Sequence, residues 1–258
     1  MMKKAKKSLG QNFLIDKNII IKIINITQIK DKNILEIGPG RGALTDEILK
    51  KKPKSLIVIE KDNDLADFLK KKYLTNKIVE VFNDDVLRIN LEKIIKKNTV
   101  VFGNLPYNIS SQILIKMIKF KKWPANYSDL VFMFQKELGE KIIAQFKSSN
   151  YGRLSIITSL KLNIIKTFII SPNCFKPKPK VKSIVIQFKP KKKIEKCDIL
   201  KLESITNLFF SKKRKMINKT INKILNKKQI FMLKDLDLTK RPSEIPPKIY
   251  FKIASIVN

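Results

Sequence analysis

Five short apolar runs, rich in β-branched and aromatic residues, recur along the first half of the chain: NILEIG (33–38), SLIVIE (55–60), KIVEVF (77–82), TVVFG (99–103) and DLVFMF (129–134). Each has the length and residue preference of a strand. The stretches between them, such as ALTDEILKK and DNDLADFLKKKYL, space their apolar residues as a helix with one buried face does. This alternation confines the chain to an α/β fold, a parallel sheet covered by helices on both faces, because parallel neighbours need crossovers and the crossovers cover the sheet. Two later runs, NIIKTFII (163–170) and VKSIVIQF (181–188), flank the proline-rich KPKPK and are expected to form an antiparallel hairpin at the sheet edge. After Pro190 a KKKIEK linker leads into short, lysine-rich amphipathic helical segments. The expected division is a sheet domain over 1–189 and a small helical domain over 190–258. There is no internal repeat.

Ligands of open α/β sheets bind outside the carboxyl ends of the strands, so the residues closing each run are the candidates. ILEIGPGRGALT (34–45) puts glycines at 38, 40 and 42 between a strand and a helix. Glycine lets the backbone turn tightly and lets a ligand approach without Cβ interference. The pattern is G-x-G-x-G, neither the dinucleotide G-x-G-x-x-G nor a P-loop, which favours a nucleoside cofactor without a pyrophosphate. Glu60 closes the next run, where a carboxylate can hold ribose hydroxyls. Asn83-Asp84-Asp85-Val86 closes the third, and a carboxylate there either accepts from an adenine amino group or caps a helix.

The fourth run ends in VVFGNLPYNISSQ (100–112), which presents an amide, a rigid proline and an aromatic ring after a core strand. An exocyclic amine on a nucleobase is a poor nucleophile, because its lone pair is delocalised into the ring. The Asn104 side-chain oxygen and the Leu105 carbonyl can hold both N–H hydrogens and aim that lone pair at an electrophilic methyl. Pro106 fixes φ and has no N–H to compete. Tyr107 can stack on a base withdrawn from its helix. A proline turn with a core tyrosine would explain Pro106 and Tyr107, but not Asn104.

The chain has 55 Lys and Arg against 22 Asp and Glu, a net charge of +33, and so should attract polyanions. Only five of the 55 are arginine, so part of the charge can reflect A/T-rich codon usage. No histidine is present, which excludes His-dependent triads, imidazole bases and His-ligated zinc. Cys174 and Cys197 stand in unrelated contexts, so no metal site is expected and a reducing cytoplasm is the natural setting. No apolar run reaches the roughly 18 residues of a spanning helix, and no membrane partner is expected.

GQNFLID, EIGPGRGALT, IEKD, NDDVL, GNLPYNISSQ, FQKE, YGRLS and FKPKPKVKSIV occur in the order of the bacterial small-subunit rRNA adenine N6,N6-dimethyltransferases, which the chain resembles from about Lys7 to its C-terminus. The resemblance implies a Rossmann-like class I methyltransferase sheet with a small C-terminal helical domain. It implies S-adenosylmethionine as cofactor, and dimethylation of two adjacent adenosines in the 3′-terminal hairpin loop of small-subunit rRNA. Carried over by motif, Asn12 and Leu14 close over the cofactor, Gly38 begins the methionine-side loop, Glu60 is the ribose ligand and Asp85 the adenine contact. Asn104 is both cofactor-proximal and amine-orienting, alongside Leu105, Pro106 and Tyr107. Phe175 matches the second aromatic that sandwiches the target base, and a strand-end core residue would look the same. The implied partners are small-subunit rRNA and a partly assembled small subunit, with a monomer as the expected state. The lysine-rich tail departs most from the family pattern. Two rivals are a large-subunit rRNA adenine methylase and a noncatalytic RNA-binding assembly factor on the same fold. NLPYNIS and YGRLS argue against the first, and the intact glycine loop, Glu60 and Asn104 against the second.

Overall fold

A computed structural model of the chain describes Lys6, residues 10–233 and residues 236–257. Seven strands form one sheet: β1 (Asn33–Ile37), β2 (Ser55–Glu60), β3 (Val79–Asn83), β4 (Thr99–Asn104), β5 (Tyr127–Gln135), β6 (Leu162–Ile170) and β7 (Ser183–Pro190). Their order is β3-β2-β1-β4-β5-β7-β6. The first five are mutually parallel, and β7 runs antiparallel to β5. All five strands expected from the apolar runs are present. The third starts two residues late, because Asn76 first turns the chain by accepting from Ile78 N through its side chain and from Val79 N through its carbonyl.

The chain builds outward from β1 to β3, then crosses to the other side of β1 to lay down β4. Strand order therefore reverses between β1 and β4, and a crevice opens at their carboxyl ends. Helices α1 (Lys17–Ile24), α2 (Ala43–Lys50), α3 (Asn63–Lys72), α4 (Leu91–Ile94) and α5 (Ser110–Ile118) belong to this part of the chain. Ile34, Val58, Val100, Phe102, Val131 and Val185 project from one sheet face into a core shared with Ile20, Ile23, Leu44 and Ile48. Their neighbours along the strands, Leu35, Ile37, Ile59, Val101, Phe132 and Ile186, are buried on the other face. Burial on both faces is why the strands read as continuous apolar runs rather than as alternation.

The late runs occupy neighbouring places at the sheet edge, as the hairpin reading expects, with β7 in the inner place between β5 and β6. Because β7 is antiparallel, its first residue, Ser183, pairs with Gln135 at the carboxyl end of β5. A separate two-residue ladder joins Phe13–Leu14 to Phe175–Lys176, with Leu14 opposite Phe175.

The chain folds as two compact units, Met1–Gly139 with Ile164–Pro190, and Glu140–Asn163 with Lys191–Asn258. One boundary falls where the pattern changes after Pro190. Residues 140–163, assigned with the sheet from sequence, group instead with the C-terminal helices. Tyr151 explains the difference, since its hydroxyl donates to Ile245 O at 2.8 Å and its ring meets Phe210 edge-on. Tyr250 completes this second core by donating to Pro242 O and packing on Phe209. Among the described residues no helix is long and apolar enough to cross a membrane.

Candidate active site

The carboxyl ends of β1 to β4 converge on a cavity of about 440 Å³, lined among others by Asn12, Leu14, Gly38, Glu60, Asp85, Asn104, Leu105, Pro106 and Tyr107. The register explains the convergence: Ile37 pairs with both Ile59 and Gly103, and Glu60 with Asn83, so the four strands end together. Gly38 follows β1 with φ +68° and donates its N–H to Ile59 O at 2.9 Å. Gly40 also lies in the left-handed region, at φ +59°, and a Cβ there would come within 3.0 Å of the Phe13 ring. The loop thus requires glycine twice over, for its backbone and for its neighbour.

Glu60 is buried, and both of its oxygens accept backbone hydrogens: Oε2 from Gly40 N at 3.1 Å and Oε1 from Asp62 N at 2.9 Å. One carboxylate therefore ties the glycine loop of β1 to the end of β2. Burial raises its pKa, against which these backbone donors work. Asp85 caps its own turn, with Oδ1 accepting from Leu87 N, while Oδ2 pairs with Lys61 Nζ at 2.8 Å. The Lys61 ammonium holds the Asp85 carboxyl below its ordinary value. The capping role and the place in the cavity wall thus coexist in one residue.

Asn104 closes β4. Its Nδ2 donates to the Asn12 carbonyl at 3.2 Å, and since a carbonyl can only accept, this bond assigns the NH2 end and leaves Oδ1 as the acceptor end. The bond draws residues 10–14 across the cavity as a strap. Gln11 Nε2 donates to Asp62 Oδ2 at 2.9 Å, fastening the strap near Glu60 as well. Tyr107, half-buried, places its hydroxyl 2.7 Å from Ser183 Oγ.

Phe175 departs from the stacking role expected by resemblance. Its ring is 3 % exposed and sits in the core with Leu14, Ile20 and Ile23, and the residue that reaches the cavity wall is Lys176. Pairing of Leu14 with Phe175 turns the ring inward, so here it anchors the strap. Three other residues, two lining the cavity and one buried on β1, were not singled out from sequence. Phe13 lies under the Arg41 guanidinium, 4.7 Å from its ring centroid, and both line the cavity. The third is Glu36, on β1 within EIGPG, a motif whose glycines alone drew attention.

Glu36 is 1 % exposed, accepts from Thr45 Oγ1 at 2.7 Å, and among the described residues has no partner for Oε1. Burial pushes its pKa from 4.5 up to about 8. The folded chain therefore keeps a proton that the unfolded chain releases near pH 4.5, and the associated stability declines as pH rises from there to about 8. Glu36→Gln should remove this dependence. Thermal melts from pH 5 to pH 9 should show wild type losing ground to the variant as pH rises, and parallel curves would contradict the assignment.

The arrangement can hold a nucleoside. Glu60 offers an acceptor for ribose hydroxyls, Asp85 one for an amino group, and the glycine loop a close backbone approach for what lies beyond the ribose. Among the described residues no group of His, Cys, Asp or Glu could hold a metal ion.

The family model for ribosomal RNA adenine dimethylase matches residues 2–258. The chain is 49% identical over 255 residues to the ribosomal RNA small subunit methyltransferase A of Pelagibacter ubique, covering 98% of this chain and 97% of that protein. It is 39% identical to the protein of the same name from Malacoplasma penetrans, covering 96% and 90%. Among solved structures, a dimethyladenosine transferase from Plasmodium falciparum superposes with a TM-score of 0.79 at 28% identity, over 93% of this chain and 95% of that one. The 23S rRNA methyltransferase ErmE shares the fold at TM-score 0.68 and 21% identity, over 94% and 98%. With residues 2–258 matched by the family model, the chain belongs to the ribosomal RNA adenine dimethylase family.

Proposed function

We propose that this protein uses S-adenosylmethionine to dimethylate the N6 amines of two adjacent adenosines in the 3′-terminal hairpin loop of small-subunit rRNA, during assembly of the subunit. The observation that carries the reading is the orientation of Asn104. Its Nδ2 donates one hydrogen to Asn12 O, which sets the NH2 end toward the strap and leaves its oxygen as the acceptor for an incoming amine, beside the glycine loop at the sheet's switch point. When bound, S-adenosylmethionine supplies a methyl group on a positively charged sulfur.

Glu60 takes the ribose hydroxyls, Asp85 the adenine amino group, and Gly38 with the following loop accommodates the methionine part. Asn12 and Leu14, carried on the strap, close over it. At the target adenine, Asn104 Oδ1 and the Leu105 carbonyl hold the two N6 hydrogens, and Pro106 keeps the pair rigid. With the cofactor held there, its methyl would pass to the N6 lone pair as the bond to sulfur breaks and leaves a neutral thioether, and the N6 proton would be lost to water, so no histidine base is needed. Tyr107 provides the platform on which the flipped base stacks. Phe175 serves by fixing the strap from within the core.

This pocket fits one adenine and names no longer sequence, while the charge of +33 can grip only phosphates. Placing two neighbouring adenines in turn therefore takes shape information from a larger partner, a partly assembled small subunit, with the protein acting as a monomer in the cytoplasm. Methyl incorporation into that particle should be efficient and incorporation into a naked hairpin poor. Equal rates on both would defeat particle recognition.

A further inference from the structure

Tyr107 sits in the turn between β4 and α5, yet its ring is not left to the turn. Its hydroxyl reaches Ser183 Oγ at 2.7 Å, across 76 residues of sequence. Ser183 is fully buried and belongs to the β5–β7 ladder, opposite Gln135, and the adjoining Lys136 N donates to Lys182 O at 2.9 Å. The partner is therefore a fixed point of the sheet. It stands at the cofactor edge only because β7 runs against the parallel strands and so begins where they end. The phenol is protonated at neutral pH, and burial raises its pKa further, so it can share this bond.

We infer that Ser183 is a positioning residue for the reaction: it pins the Tyr107 hydroxyl so that the ring face is set as a platform before the target base arrives. The inference rests on the reading of Tyr107 as that platform. A turn-borne ring without the pin would rotate about its side-chain bonds, and the amine of a base stacked on it would wander from Asn104. Ordering the ring beforehand removes that loss from the chemical step. Ser183 itself touches neither base nor cofactor in this scheme.

The test compares Ser183→Ala, Tyr107→Phe, the double variant and Tyr107→Ala on partly assembled small subunits. Ser183→Ala should lower kcat roughly tenfold or more, with KM for the particle and the Kd for S-adenosylmethionine within about twofold of wild type, because phosphate and cofactor contacts are untouched. Tyr107→Phe breaks the same pin from the other side and should lower kcat similarly, which keeps the test decisive if Ser183→Ala folds poorly. The double variant should be no worse than either single one, since one bond cannot be lost twice. Wild-type kcat in Ser183→Ala or Tyr107→Phe, or strictly multiplicative losses in the double variant, would overturn the pin. Wild-type kcat in Tyr107→Ala would instead overturn the platform reading on which the pin depends.

Discussion

Asn104→Ala is expected to lower kcat by about 10²–10³-fold or more while leaving affinity for the small-subunit particle nearly intact. The size follows from what the amide does. In the proposed role it holds the N6 hydrogens in the geometry that localises the lone pair, and loss of one preorganised group at a reacting centre costs about two to three orders of magnitude. Affinity is spared because phosphate contacts dominate RNA binding. A smaller effect on cofactor affinity should accompany it, since the variant also loses the bond from Asn104 Nδ2 to Asn12 O that holds the strap. Asn104→Asp separates the two roles. It keeps an acceptor for the amine but sets an oxygen against the Asn12 carbonyl, so cofactor affinity should fall while turnover is partly retained. Single-turnover methyl transfer at saturating cofactor measures the chemical effect, and near wild-type rates for Asn104→Ala would remove the residue from the reaction.

Glu60→Ala should weaken S-adenosylmethionine binding roughly tenfold to a hundredfold. A charge-assisted hydrogen bond contributes about 1.5–3 kcal/mol, and the ribose hydroxyls would lose theirs. The structure adds a second cost, because the same carboxylate accepts from Gly40 N and Asp62 N and thereby holds the glycine loop to β2. Acidification should mimic the substitution. In the proposed role the ionised carboxylate is the form that accepts from the ribose, and burial raises its pKa, so affinity should fall on acidification at a higher pH than for an exposed glutamate. Calorimetric titration of both proteins checks this, and an unchanged dissociation constant for Glu60→Ala would take the residue out of the site.

The sheet and the cofactor edge were legible because both depend on local signals. A strand buried on both faces must be apolar throughout, and residues that follow it must lie at the crevice, so position and chemistry together point to Gly38, Glu60 and Asn104, while the choice of Asp85 over Asp84 takes the family resemblance. Four features were not legible, and each depends on tertiary packing or distant pairing. The Tyr107–Ser183 bond needs β7 to insert antiparallel between β5 and β6. Phe175 turns into the core because a two-residue ladder sets it opposite Leu14. Glu36 is neutralised by burial that EIGPG does not announce. Residues 140–163 group with the C-terminal helices through the Tyr151 contacts with Phe210 and Ile245, between segments some ninety positions apart in the case of Ile245.

The most direct test of the central claim is to locate the methyl groups. Partly assembled small subunits incubated with the protein and S-adenosylmethionine should yield, by mass spectrometry of nuclease fragments, N6,N6-dimethyladenosine at two adjacent positions of the 3′-terminal hairpin loop. Asn104→Ala should leave those positions unmodified. Methylation confined to large-subunit RNA, or none on either RNA from a protein that binds the cofactor, would contradict the account.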